Sequence, residues 1–458
     1  MSAGSRRAQG GAKSGSEQHD AVPGLAARMA AAKLLAAVVD ARTPLDGLTD
    51  NEHGNPHYLA LEPRDRALVR AILTTALRFR RTIQALVDAR LDRPLPANAT
   101  ALSHLLHVAA AQMLFLDVPD SAAVDLAVTH ARSDPRTARF AALVNAVLRE
   151  IGRRKERALP AALSATVDAP DWFVERLRAA YGEEQAVAIL DAHRREAPFD
   201  LTVRSDPERW AARLGGTALP AGGVRLARLD GAVTEMDGFA EGEWWVQDAA
   251  AAMPAMLFGD LAGKRVADLC AAPGGKTAQL ALAGAQVTAL EKSPSRARRL
   301  AANLERLRLK TTIVVADMMD HETEAPFDAV LLDAPCSSTG TIRRHPDVAW
   351  TKGPDDVDKL AALQVRMLAR AVALTRPGGT IVFSNCSLDP IEGEHLVRRF
   401  LDETADAVLD PVRPGEFAWA DAFLNGDGIL RTTPAGLDLG RPELSGLDGF
   451  FAARLRRT

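Results

Sequence analysis

Cysteine is scarce in this chain, and several other features that mark broad classes of protein are missing. There are 3 Cys in 458 residues, an odd and sparse set that argues against a disulfide framework and favours a reducing compartment. None of the 10 His completes a closely spaced Cys/His set, so we expect no metal site. The net charge of −3 does not by itself indicate a nucleic-acid-binding protein.

Long apolar segments are missing too. No uninterrupted apolar stretch reaches about 18 residues, so no transmembrane helix is expected. Residues 1–23 are rich in Gly, Ser, Ala and charge and lack the apolar centre of a signal peptide, which predicts a disordered tail. Together these absences predict a soluble cytoplasmic protein without a membrane or metal partner.

Apolar spacing divides the rest of the chain into three predicted domains. Over residues 24–157 apolar side chains recur at intervals of three and four, which is typical of an all-α bundle. Residues 158–250 combine helices, short extended pieces and glycine pairs, which predicts a small α/β linker domain. Strands and helices alternate over 251–458, which indicates a doubly wound, Rossmann-like parallel sheet. The predicted strands are 265–270, 286–290, 312–316, 329–333 and 380–384.

Two cysteines lie where strands of this sheet should end. Cys336 follows the fourth predicted strand in the sequence DAPC, and Cys386 follows the fifth in SNCS. Ligands of open α/β sheets bind beyond the carboxyl ends of the strands, so both thiols should face one crevice. A cysteine chosen at random is more often a small buried core residue, but the shared position favours reactive thiols.

The first predicted strand leads into a turn of small residues, 268–277 (DLCAAPGGKT), where a ligand can approach backbone N–H groups. Its spacing fits neither the dinucleotide fingerprint nor the P-loop, so neither NAD nor ATP is indicated. Glu291 ends the second strand, where a carboxylate can accept hydrogen bonds from ribose hydroxyls. Asp317 ends the third and Asp333 the fourth, although helix capping explains Asp317 equally well.

Arginine is concentrated in the helical region, in two clusters that could bind phosphates. Solvated helix faces with long side chains explain either cluster at least as well. The first cluster includes Arg78, Arg80 and Arg81, and the second consists of Arg149, Arg153, Arg154, Lys155 and Arg157.

In combination these motifs resemble the RNA cytosine-5 methyltransferases that use S-adenosylmethionine. The resemblance rests on 269–277 (LCAAPGGKT), 332–340 (LDAPCSSTG), 343–346 (RRHP) and the segment around Cys386. At the front of the chain, 111–119 (AQMLFLDVP) and 145–150 (NAVLRE) resemble the NusB-like, RNA-binding domain of the RsmB/Sun family of bacterial 16S rRNA enzymes. Residues 246–248 (VQD) and 449–454 (GFFAAR) fit the same family.

The resemblance assigns roles to the residues at the strand ends. It implies that Cys386 attacks carbon 6 of an unpaired or flipped cytosine in 16S rRNA, that Cys336 assists release of the product, and that Asp333 hydrogen-bonds or protonates ring nitrogen 3. The chain departs from the family at Asn385, where Thr is common, and at Gly393, where Asn is frequent. The implied S-adenosylmethionine site consists of Cys270, Ala271, Ala272, Pro273, Gly274, Gly275, Lys276, Glu291, Asp317 and Asp333.

Two other functions fit parts of the sequence. A cytosine-5 methyltransferase acting on tRNA would share the catalytic motifs, but the helical front domain favours ribosomal RNA. A non-catalytic RNA-binding or ribosome assembly factor could keep the sheet, but two cysteines at strand ends speak against it. Amino-methylating enzymes typically carry Asp/Asn-Pro-Pro-aromatic where this chain has Asp-Ala-Pro-Cys. The sequence leaves open the target nucleotide and the oligomeric state, with a monomer expected.

Overall fold

The front of the chain folds into a helical bundle. The computed structural model describes residues 22–229 and 231–458, so the tail predicted for 1–23 lies almost wholly outside the described residues. Apolar faces of the helices share one core, in which Leu34, Leu73 and Val144 are fully buried, and the all-α prediction is confirmed. The helices are α1 Leu25–Val39, α2 Leu45–Leu48, α3 Pro56–Leu59, α4 Pro63–Arg78, α5 Arg80–Asp88, α6 Thr100–Phe115, α7 Asp120–Ser133 and α8 Ala141–Ala165.

A small α/β unit follows the bundle. Gly182, with a φ of 76°, interrupts the helical conformation within α9. The four strands form an antiparallel sheet in the order β2-β3-β1-β4. Its elements are α9 Asp171–His193, β1 Phe199–Val203, α10 Pro207–Leu214, β2 Thr217–Ala218, β3 Val224–Leu226 and β4 Trp244–Val246.

No helix within the described part of the chain is both long and apolar enough to cross a bilayer.

The last part of the chain builds a large sheet with helices on its faces. The elements are α11 Ala249–Ala252, β5 Arg265–Leu269, α12 Gly275–Leu282, β6 Gln286–Leu290, α13 Pro294–Arg306, β7 Thr312–Val314, β8 Phe327–Asp333, α14 Val348–Thr351, α15 Pro354–Leu374, β9 Thr375–Asn385, α16 Glu394–Glu403, β10 Ala407–Leu409, β11 Leu430–Arg431 and β12 Phe451–Arg457.

The strand order of this sheet is β10-β12-β9-β8-β5-β6-β7, with β11 also pairing with β12. From β9 to β7 the neighbours are parallel, which confirms the doubly wound prediction. The order reverses between β5 and β8, and such a switch point opens a crevice for ligands. The sheet is mixed, because β12 runs antiparallel between β9 and β10. Four of the five predicted strands differ at one or both ends: β5 ends at Leu269, β7 ends at Val314, β8 begins at Phe327, and β9 spans Thr375–Asn385.

The helical bundle packs against the segment that follows Cys336. Trp350 Nε1 donates to the carbonyl of Leu77 at 2.9 Å, and a guanidinium nitrogen of Arg78 donates to the carbonyl of Arg343 at 3.0 Å. Arg80 lies with its guanidinium 5.7 Å from the Trp350 ring centre. Since Arg78 is only 8% exposed, the hypothesis that it binds phosphate is wrong. The arginine belongs instead to an interdomain contact.

A buried charge network joins the small α/β unit to the large sheet. Arg225, which is fully buried, pairs with Asp200 at 2.7 Å. Arg344 contacts Asp248 at 2.5 Å and Asp448 at 3.2 Å. Burial and the neighbouring Asp248 raise the pKa of Asp448 to about 7. Removing one partner of a buried pair leaves a charge without compensation, so this network holds the two units in one arrangement.

Candidate active site

The turn between β5 and α12 forms the floor of the site. Cys270 has a φ of 69°, so its backbone leaves the strand in the left-handed region. Gly274 has a φ of 107°, and a Cβ at that position would meet Leu300 Cδ1 at 2.7 Å. The glycine is therefore required both by conformation and by the close approach of α13. The N–H groups that open α12 are left for a ligand or water, as at any helix start.

Glu291 follows β6 directly and is only 3% exposed. One carboxylate oxygen accepts a hydrogen bond from the Ser293 N–H at 2.9 Å. The other has no hydrogen-bond partner among the described residues, although Arg296 lies 3.4 Å away. A buried carboxylate oxygen without a hydrogen bond is costly to maintain, so this oxygen is suited to receive a hydroxyl donor from a ligand. The residue thus fits the ribose of a nucleoside cofactor.

Asp317 lies farther from its strand than the sequence suggests. It stands three residues beyond the end of β7, in a turn where its carboxylate accepts from the Met319 N–H at 3.0 Å. Lys292 Nζ donates to it at 2.8 Å, and this hydrogen bond lowers the pKa of Asp317. The residue therefore caps a turn and also lines the same cavity as Glu291.

A cavity of about 370 Å³ runs along the carboxyl ends of the strands. A second cavity, of about 320 Å³, adjoins it and is bounded by β4 and α13. Cys270, Ala272 and Asp333 belong to the walls of both cavities, which makes them one trough across the switch point. The first cavity also contains the implied site residues Glu291, Asp317, Cys336 and Cys386, and the second contains Ala271, Pro273, Gly274, Gly275 and Lys276.

Asp333 ends β8 at the centre of the trough. Lys276 Nζ donates to one of its oxygens at 2.7 Å, and Ser384 Oγ donates to the other at 3.0 Å. The Lys276 ammonium also lies 5.0 Å from the ring centre of Phe450. A carboxylate with both oxygens held in this way has a fixed orientation toward a ligand.

Cys336 and Cys386 meet at the wall of the first cavity, with their sulfur atoms 3.4 Å apart. The contact with Cys386 and burial together raise the pKa of Cys336 well above its usual value. Two thiolates at this distance would repel each other, so the pair holds at most one negative charge readily. The expectation that both thiols face one crevice is met by this geometry.

Cys270 differs from the other two cysteines. Burial, with the nearby Asp333, Asp268 and Glu291, raises its pKa to about 12. The thiolate is the nucleophilic form of cysteine, so Cys270 remains an unreactive thiol at neutral pH. The positive φ of Cys270 shapes the turn that forms the floor of the site.

Beneath the loops that carry Cys336 and Cys386 lies a carboxylate that the sequence analysis did not single out. Glu392 is fully buried and accepts hydrogen bonds from the Ser337 N–H at 2.9 Å, from Ser337 Oγ at 2.5 Å and from Gln364 Nε2 at 2.9 Å. Its backbone carbonyl accepts from Asn385 Nδ2 at 2.6 Å. Glu392 therefore ties the residue after Cys336 to the residue before Cys386. A glutamate in a short acidic segment gives no sequence signal for such a position.

The two departures from the family pattern have structural explanations. The Asn385 side chain donates to the backbone carbonyl of Glu392 and accepts from the Ser387 N–H at 3.0 Å, so it fixes the backbone on both sides of Cys386. At Gly393 a Cβ would meet Arg431 Nη2 at 2.4 Å and Phe451 Cδ2 at 2.9 Å. A larger residue there requires a different position for Arg431, which in this chain pairs with Glu394 at 2.6 Å.

Comparisons with known proteins agree with this arrangement. Residues 256–456 match the family described as 16S rRNA methyltransferase RsmB/F, and residues 25–153 match the NusB family. A relative named ribosomal RNA small subunit methyltransferase B from Xylella fastidiosa is 39% identical over 94% of this chain and 98% of its own length. One of the same name from Xanthomonas campestris is 38% identical over 86% of this chain and 91% of its own.

Among solved structures, a methyltransferase homologue from Pyrococcus horikoshii superposes with a TM-score of 0.52. It is 27% identical and covers 62% of this chain and 94% of its own. The identity to the bacterial relatives extends over nearly the whole chain, so these relatives share both the helical bundle and the large sheet with it. This chain therefore belongs to the RsmB/F family of 16S rRNA methyltransferases.

Proposed function

We propose that this protein transfers a methyl group from S-adenosylmethionine to carbon 5 of a cytosine in 16S rRNA, through a covalent bond between Cys386 and carbon 6. The observation that carries the proposal is the pair of sulfur atoms 3.4 Å apart on the wall of a cavity that also contains Glu291. A methyltransferase acting on an already nucleophilic atom has no need of two such thiols. The names of the bacterial relatives support ribosomal RNA of the small subunit as the substrate.

The residues of the trough fit S-adenosylmethionine, whose sulfonium carries an electrophilic methyl group. Glu291 has a buried acceptor oxygen for a ribose hydroxyl, and the turn from Cys270 to Lys276 offers backbone groups to the amino-acid end. Asp317 lines the same cavity and is proposed to bind the adenosine part. Asp333 lies between the two ends, where the methyl group and the target base must meet.

Carbon 5 of cytosine is a weak nucleophile and must be activated before it can accept the methyl group. In the proposed cycle the Cys386 thiolate forms a bond to carbon 6, and the electron pair of the 5,6 double bond moves to carbon 5. With the sulfur atoms 3.4 Å apart the pair holds one negative charge more readily than two, and the proposed cycle places that charge on Cys386. Asp333 hydrogen-bonds or protonates ring nitrogen 3, and Lys276, at 2.7 Å, is its nearest proton donor.

Methylation must be followed by release of the enzyme. Carbon 5 gains the methyl group while the methyl–sulfur bond breaks and its electron pair stays on sulfur. The carbon 5 proton then passes to a base, for which the sulfur of Cys336 is the proposed acceptor, while the double bond re-forms and the sulfur of Cys386 departs as thiolate. Cys336, in van der Waals contact with Cys386, is proposed to assist this elimination.

The direct test is bisulfite sequencing of 16S rRNA and tRNA from cells that lack the gene. Loss of one 5-methylcytosine from 16S rRNA, restored by the wild-type gene, supports the proposal. Loss from tRNA alone would identify the related tRNA enzyme, and unchanged methylation in both RNAs would favour a non-catalytic RNA-binding factor.

The ribose contact gives a separate prediction about the cofactor. Glu291→Ala removes a buried acceptor whose hydrogen bonds to a hydroxyl are each worth about 1.5–3 kcal/mol, so affinity for S-adenosylmethionine should fall roughly ten- to hundredfold. Calorimetric titration measures the change. Glu305→Ala, on the exposed side of α13, is the matched control and should bind the cofactor as the wild type does. If Glu291→Ala binds S-adenosylmethionine as tightly as Glu305→Ala does, Glu291 does not contact the ribose.

A further inference from the structure

One helix, α13, borders both cavities, and the segment around it is rich in positive charge. Its start contributes Arg296 to the first cavity, and its end contributes Asn303 and Arg306 to the second. From residue 292 to 310 there are seven Lys or Arg and a single acid, Glu305. The surplus is larger than that of either arginine cluster in the helical bundle.

Two of these cations serve the fold. Arg296 donates to the carbonyl of Ala272 at 2.7 Å, and Arg306 donates to the carbonyl of Phe239 at 2.7 Å. They fix the helix to the turn after β5 and to the small α/β unit. Neither is therefore free to bind a partner.

The other five cations are exposed, and we name them the α13 cationic face: Lys292, Arg298, Arg299, Arg308 and Lys310. Only Arg298 and Arg299 lie within the helix, and the other three flank its two ends. Lys292 pairs with Asp317, and Arg299 lies 3.6 Å from Asp50 of the helical bundle, but these side chains are 77% and 68% exposed. Such exposed pairs contribute little to stability. Within the described ranges Arg298, Arg308 and Lys310 form no ion pair or side-chain hydrogen bond.

The fold does not need this charge. The buried side of α13 is apolar and consists of Ala297, Leu300 and Leu304. Like charges close together on one surface repel each other, and among the described residues Arg298, Arg308 and Lys310 have no ion pair that offsets this repulsion. A polyanion lying along α13 and the residues that flank it would remove that repulsion, and the helix alone rises about 18 Å from Pro294 to Arg306.

We propose that the α13 cationic face binds phosphates of the single-stranded rRNA that flanks the target cytosine. This inference rests on the proposed function, because it assumes an RNA substrate whose target base enters the trough beside α13. The arginines of the helical bundle are the competing surface, and Arg78 is excluded because it is buried between domains. Arg81 is partly committed to Asp171, at 2.7 Å.

The test uses the full chain with Arg298→Gln, Arg308→Gln and Lys310→Gln combined. Binding of an unstructured, cytosine-containing RNA is followed by fluorescence anisotropy at several KCl concentrations. Each lost phosphate contact on a single strand reduces the slope of log affinity against log salt by about 0.7, so the triple variant should lose up to about two units. KM for RNA methylation should rise while kcat stays near the wild-type value.

The control is Arg398→Gln with Arg399→Gln on α16, two exposed arginines beside β10, at the opposite edge of the sheet from β7. This variant should keep the wild-type slope. An unchanged slope for the α13 triple variant, with normal cofactor affinity, would overturn the surface proposal. If the slope falls but the wild-type protein transfers no methyl group to cytosine, the surface stands and the proposed reaction is wrong.

Discussion

Cys386→Ala is expected to abolish methyl transfer while leaving the affinities for S-adenosylmethionine and RNA close to those of the wild type. The substitution removes only the group that adds to carbon 6, and without that addition carbon 5 does not become nucleophilic. The cofactor contacts proposed for Glu291 and the turn after β5 do not involve this thiol. The measurement is incorporation of labelled methyl groups into 16S rRNA, with calorimetry and anisotropy for the two affinities.

Cys336→Ala should behave differently, because its thiol is proposed to act in release. Addition and methyl transfer should proceed, and elimination should stall. A protein–RNA adduct that survives denaturation should accumulate and appear as a shifted band on a gel. The double variant, lacking both thiols, is the control and should show no adduct.

Each pattern of bands has a distinct meaning. Adducts from Cys386→Ala but not from Cys336→Ala would reverse the two roles. Methylation that survives the loss of Cys386 would falsify the covalent mechanism. The proximity of the sulfur atoms, at 3.4 Å, makes the exchange of roles a real chemical alternative, and only the single variants separate the two assignments.

Glu392→Gln is expected to slow methyl transfer by roughly ten- to a hundredfold, the effect of misplacing a reacting group by about 1 Å. The glutamine offers one acceptor oxygen where the carboxylate has two, and its amide N–H₂ faces the donors of Ser337 and Gln364. An unsatisfied buried donor costs about 1–3 kcal/mol, which the loops can avoid only by moving. Thermal unfolding and single-turnover kinetics, measured well below the melting temperature, record the two effects.

A positioning role is separable from a loss of stability. Cofactor affinity should be unchanged, because Glu392 lies outside the cofactor cavity. The adduct of the Cys336→Ala protein should form more slowly when Glu392→Gln is added, since Cys386 is then displaced from carbon 6. Glu394→Gln is the comparison, because that carboxylate pairs with Arg431 at 2.6 Å instead of with Ser337. If the adduct forms as fast with Glu392→Gln added as it does in Cys336→Ala alone, Glu392 has a role in stability only and does not position Cys386.

The sequence by itself determined much of the candidate site. Apolar runs of five or so residues identify the buried strands of a parallel sheet, and the residue after each run must lie at the same edge. Glu291, Asp333 and Cys386 follow from that rule, and the structure puts all three on one trough. Periodicity of three and four likewise identifies the helical bundle.

Only the tertiary structure decided which charged groups meet and which are hidden. Glu392 and Ser337 are 55 positions apart, and Arg78 and Arg343 are 265 apart. Apolar periodicity reports which face of an element is buried, but not which distant element covers that face. The antiparallel insertion of β12 beside β9, the burial of Arg78 and the exposure of the α13 cationic face all depend on such long-range packing. Local sequence patterns do not report long-range packing, because the partner of a polar side chain depends on which distant segments the complete fold brings next to it.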